Sequence, residues 1–170
     1  MKASAIAWAA AAAVLLFWSV GAYNRLVRLR HALTRRFATV DQQCDARRAL
    51  LHRLADVLAA GPEGEPAAQT LRAACAQADA ARAHVRARPA QAGTVTSLRL
   101  AETILAEARQ RVAPAGPADA LRAELVAVDN TLDFARRQFN DAVQAYNRAV
   151  AQFPTWLIAG PFGFRSAGPL

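Results

Sequence analysis

Apolar positions change their rhythm once along this chain. From Ala3 to Ala22 they form an uncharged run, and from Tyr23 onward they recur in steps of three and four. The second rhythm marks helices with one buried face. Its first stripe is Leu26, Leu29, Leu33, Phe37, Val40, Cys44, Leu51, Leu54 and Leu58, with no Pro or Gly inside it. It predicts a helical rod from Tyr23 to Ala59, about 55 Å long at 1.5 Å per residue. No break signal separates the rod from the apolar run before it. Gly61-Pro62-Glu63-Gly64-Glu65-Pro66 supplies the turn that ends it, with Pro66 suited to the first turn of the next helix.

Two weaker stripes follow. Ala67 to Arg88 carries Leu71, Cys75, Ala78 and Val85, with alanine elsewhere, and so buries little area. After Pro89 to Gly93, Thr94 or Thr96 is the expected cap of a third helix with the stripe Leu98, Ala101, Leu105, Ala108 and Val112, which Pro114 to Pro117 breaks. The last stripe is the clearest: Leu121, Leu125, Val128, Leu132, Ala135, Phe139, Ala142, Tyr146, Ala149 and Phe153. Pro117 and Asp119 suit its start and Pro154 its end. No segment alternates with period two, so the fold class is all-α. Long first and fourth helices with two shorter ones between them predict an antiparallel up-down four-helix bundle, its long helices pairing as in a coiled coil. The chain divides into an anchor at 1–22, a bundle at 23–154 and an apolar tail at 155–170.

Pairing the long helices sets a register. With Leu26 near Phe153, Asp41 falls opposite Arg136 or Arg137, and Arg47 opposite Asp129 or Asp133. Arg47 lies on the apolar stripe itself, and a buried charge left alone would cost several kcal/mol. The stripe therefore calls for paired charges that fix register, or for a polar site inside the bundle.

About 20 apolar residues cover the ~30 Å hydrocarbon core of a bilayer. Trp8 lies towards one end of the run, with Trp18 and Tyr23 at the other, where amphipathic rings favour the headgroup level. Arg25, Arg28, Arg30, Arg35 and Arg36 follow the run closely, whereas Lys2 is the only basic side chain before it. The positive-inside rule then sets the N-terminus outside and the bulk in the cytoplasm, as a single-pass signal-anchored membrane protein. A cleaved signal peptide is the rival reading, because Val20-Gly21-Ala22 offers small residues for a cut before Tyr23 and an exported, periplasmic chain. Formal charge is +8 and pI about 11.1, a balance that attracts anions. The juxtamembrane arginines make anionic lipid headgroups the expected partner, if they do more than set topology. The tail's Trp156, Phe162 and Phe164 suit either the membrane interface or a cap on the bundle.

At these positions the chain resembles the LemA family of bacterial membrane proteins. The resemblance rests on Tyr23-Asn24, Leu26 to Arg30, Asp41, Gln43, Arg47 and Leu50 at one end. At the other it rests on Glu124-Leu125, Ala135-Arg136, Asn140 to Val143, Tyr146-Asn147, Phe153-Pro154 and Gly163-Phe164. It implies one N-terminal membrane helix followed by an antiparallel helical bundle, with no established enzymatic activity. Phe37 stands where the family usually has Trp, His52-Arg53 where it has Pro-Asn, Asp129 where it has Glu, and Phe139 where it has Tyr.

Chemistry-bearing motifs are few. Cys44 and Cys75 lie within helical stripes rather than a disulfide scaffold, and His31, His52 and His84 stand far apart with no second ligand at metal-binding spacing. No phosphate loop or nucleophile with a nearby base is recognisable, so neither catalysis, cofactor nor metal is expected. Nucleic acid is not the expected partner either, because no groove-reading motif appears and aromatics are not interleaved with basic residues. A membrane-anchored helical adaptor that binds protein partners or homo-oligomerises is the reading that remains.

Overall fold

The computed structural model describes residues 2–61, 64–89, 91–111 and 119–170. Val112 and the Pro114 to Pro117 break lie outside the described residues. The elements are α1 (Lys2–Ala59), α2 (Gly64–Ala87), α3 (Ala92–Arg111), α4 (Asp119–Ala151) and a single turn α5 (Trp156–Ala159). Apolar run and rod are thus one helix of 58 residues, about 87 Å long. From Ala5 through Phe17 every described side chain on α1 is exposed, and Leu26 is the first to be fully buried.

α4 runs back against α1, α2 packs on α1, and α3 packs on α2. The backbones of α3 and α4 stay farther apart than any of these pairs, and long side chains cross between them. Phe37 meets Phe139 edge-on, with ring centroids 5.9 Å apart. Arg36 donates to Gln138, and Arg53 lies 3.4 Å from Glu124. The expected register would have set Phe37 opposite Ala142, so α4 sits about one helical turn from it.

The reason lies at the end of α4. Phe153 does not join the buried stripe; it is 73% exposed and lies beyond the last residue of α4. With no Phe153 anchor to seat, the pair aligns on the larger ring contact. Val143 is buried and Ala142 only partly so, which widens the face α4 presents.

The interior falls into two apolar clusters. One joins Leu26 to Cys44 of α1, Leu132 to Ala149 of α4, and Val85, Val95 and Leu98 from the short hairpin. The other joins Leu50 to Leu58, Ala68 to Ala78, Ala101 to Ala108, and Leu121 and Leu125. Arg47 sits between them, 6% exposed. α3 begins two residues before Thr94, whose hydroxyl reaches the Gln91 carbonyl at 2.8 Å; Thr96 bonds back to Ala92. Both threonines therefore tie down the turn and first coil instead of capping the helix.

Candidate functional site

The buried polar groups form a belt across the bundle. Arg47 Nη2 donates to both Glu102 oxygens, at 2.6 and 2.7 Å, and Arg136 Nη2 donates to Glu102 Oε2 at 2.7 Å. Arg136 also lies 3.5 Å from Asp133, while Asp129 accepts from Arg109 at 2.7 Å and stands 4.0 Å from Arg47. Glu102 is therefore the hub, joining α1, α3 and α4. Burial would raise its carboxyl pKa, but Arg47 and Arg136 outweigh that and hold it below the usual value of 4.5.

Asp41 does not meet Arg136 or Arg137. It accepts two bonds from Arg86, at 2.9 and 3.0 Å, and lies 3.4 Å from Arg82. The cause is which neighbour each face has: Asp41 looks toward α2, while Arg136 is held by Glu102 on α3. Arg82 is itself buried, donating to the Asp41 carbonyl and to Asp45 and Asp79 at 3.0, 2.6 and 3.1 Å. Glu102 and Arg82 both escaped the sequence reading. Glu102 follows Ala101 of the α3 stripe directly, which was its one available signal.

Cys44 and Cys75 border the belt as buried free thiols. Burial is the main cause that pushes both pKa values up, Cys75 to about 11. Neither is primed as a thiolate nucleophile at neutral pH. Among the described residues, no group of three His, Cys, Asp or Glu is close enough to hold a metal ion.

A second set of candidate residues gathers where α1 leaves the apolar run. Tyr23 meets Phe162 and Phe164 edge-on, at 5.2 and 5.7 Å. Phe164 is buried, whereas Phe162 beside Tyr23 is exposed, and Trp156, Leu157, Asn24, Arg25, Arg28 and Arg30 are exposed too. Trp8 is exposed and Trp18 half-buried farther along α1; Gln43 and Pro154 are half-buried in the bundle.

The tail then runs back along α4. Asn147 exchanges two hydrogen bonds with the backbone of Ala167, at 2.9 and 2.8 Å, and Asn140 two with Leu170, both at 2.8 Å. Tyr146, fully buried, lies between them on α4.

These Asn and Tyr positions are the motif residues of the fourth helix, and a family model described as LemA family matches residues 36–169. The chain belongs to the LemA family. The matched span takes in Asp41, Gln43, Arg47 and every motif of α4 and the tail, while Tyr23 to Arg30 precede it. Neither curated proteins nor solved structures yield a match. For this LemA-family chain, then, the motif asparagines are the groups that fasten the tail, and Arg47 is the group that needs Glu102.

Proposed function

We propose that this chain is a non-enzymatic scaffold of a bacterial inner membrane, anchored by the first part of α1 with its N-terminus outside. Its bundle stands at the cytoplasmic face and binds protein partners, a second copy of itself included. The observation that carries this reading is the unbroken 58-residue α1: apolar and exposed on every side at one end, seated in the bundle at the other. An isolated apolar helix of this length in water would leave far more apolar surface bare than soluble chains tolerate, and lipid would cover it.

Two further features support the orientation. Arg25 and Arg28 follow the run closely, where anionic headgroups attract each basic residue by about 1 kcal/mol. Phe162, exposed beside Tyr23, together with the exposed Trp156 and Leu157 of the tail, suits the interfacial layer, while the buried Phe164 caps the bundle. A belt made of matched charges with raised thiol pKa values beside it suits a register device better than a reaction centre.

Alkaline extraction of membranes, combined with maleimide labelling of single cysteines placed at Ser4 and at Ala106, tests the arrangement. Retention in the pellet, with outside labelling only at Ser4, is the expected result. A mature chain that begins at Tyr23 and washes free would overturn it. Crosslinking in native membranes would then identify the partners.

A further inference from the structure

The short hairpin of α2 and α3 ends well before α1 and α4 reach the apolar run, and this leaves an open notch of about 650 Å³ on the membrane-facing side of its turn. Its lining comes from α1 with Arg30 and Thr34, the end of α2 with Arg86, the turn with Arg88, the start of α3, α4 with Tyr146, and the tail with Arg165 and Ser166. Arg86 is held by Asp41. Among the described residues, Arg30, Arg88 and Arg165 have no acidic partner, whereas Arg47, Arg48, Arg53, Arg72, Arg82, Arg109 and Arg136 all do. Guanidinium-bearing side chains from three separate parts of the sequence thus converge on one concavity, and of these only Arg86 is bonded to a carboxylate among the described residues.

The tail is fixed there by specific geometry. Gly163 turns the chain with φ +72, and Asn147 holds the Ala167 backbone two residues beyond Arg165. Gly168 lies so close to Ala92 that a Cβ would stand 3.1 Å from its Cα. These contacts hold Arg165 at the notch rather than leaving it on a loose end.

We infer that this notch is a binding site for a phosphate-bearing small ligand of headgroup size. Guanidinium groups pair with phosphate oxygens in forks, and hydroxyls such as Thr34 and Ser166 add donors. The volume falls within the ~300–1,000 Å³ of ordinary ligand sites and exceeds what one inorganic phosphate fills. Arg30 lies about 12 Å along α1 from Ala22, so two sources can supply the phosphate: a lipid headgroup reaching down, or a free phosphorylated molecule. The lipid source rests on the anchored orientation proposed above; the free source does not.

The full chain in phosphatidylcholine nanodiscs, with and without phosphatidylglycerol, is titrated with pyrophosphate. Saturable binding is expected, and Arg88→Gln with Arg165→Gln should weaken it about tenfold or more, through loss of two charge-assisted contacts. Removing the same charge outside the notch, by Arg35→Gln with Arg148→Gln, should change it by about twofold or less. Ser166→Asp keeps every arginine and should weaken binding too, which guards against a folding defect in the double variant. If phosphatidylglycerol raises the apparent dissociation constant for pyrophosphate, the membrane is a source; if it does not, the ligand is free, and the site stands either way. Absence of saturable binding, or equal losses in both arginine pairs, would overturn the site. Repeating the titration in detergent separates a failure of anchoring from a failure of the notch.

Discussion

Arg47 shows how one buried charge shapes its surroundings. Its guanidinium contacts Glu102 at 2.6 Å and Asp129 only at 4.0 Å. Removing either close partner strands the other in a desolvated site, so Arg47→Ala or Glu102→Ala should each cost about 3–5 kcal/mol. In a double-mutant cycle, Arg47 with Glu102 should show coupling of about 0.5–3 kcal/mol, and Arg47 with Asp129 clearly less. Denaturant melts of the six proteins in the two cycles measure both; equal couplings would remove Glu102 from its place as hub. pH acts through the same groups. Glu102 and Asp45 both have folded pKa values below their ordinary 4.5 and 3.8. A lowered folded pKa means stability present above the unfolded value and lost as pH falls through it. The unfolding midpoint should therefore drop as pH falls from about 5 toward 3, and Glu102→Gln should flatten that drop at the cost of lower stability at neutral pH.

Individual elements fit one another by matched repeats. Asn140 and Asn147 are seven residues apart on α4, about 10.5 Å along a helix, and they bond residues three apart in the tail, about 10 Å along an extended chain. Each asparagine presents one donor and one acceptor, which is what an extended backbone offers in return. Asn147→Ala leaves two backbone groups of Ala167 without these partners and should cost about 1–3 kcal/mol. Hydrogen exchange should show the tail opening while α1 and α4 stay protected. Gly168→Ala acts on the same strap from the other side, through the close approach to Ala92; faster exchange in the tail is expected there too. Farther down, Phe139 is fully buried against Phe37, and Phe139→Ala should lower stability by about 3–5 kcal/mol.

Across the whole molecule, the buried arginines are matched by acids, while among the described residues Arg25, Arg28, Arg30, Arg35, Arg88 and Arg165, at the end of the bundle that carries the apolar run, have no acidic partner. Binding of the full chain to phosphatidylglycerol surfaces should accordingly weaken as ionic strength rises past the range where the Debye length is about 10 Å. Flotation of bundle-bearing proteoliposomes against free anionic vesicles at low and high salt measures this. Much of the molecule was legible before any coordinates. The apolar run, the long rods and their antiparallel pairing follow from period and length, because a helix buries a face only if apolar residues recur every three or four positions. Asp119 begins α4 as its acidic side chain suggested, and α2 and α3 are the short helices that Pro and Gly demanded.

Beyond the Arg47–Asp129 pair, which stands 4.0 Å apart as the register suggested, partner choice for the charges was not legible. Asp41 and Arg136 lie on the expected pair of helices, yet each turns to a different neighbour, Asp41 to Arg86 of α2 and Arg136 to Glu102 of α3. Local sequence determines which residues are helical and which face is apolar, since both depend on neighbours three or four positions away. Only the tertiary arrangement decided the final turn of register, the hub at Glu102, the strap over Asn140 and Asn147, and the arginine-lined notch. Each of these joins residues from separate helices, and their meeting depends on how four helices of unequal length settle together rather than on any single stretch of chain.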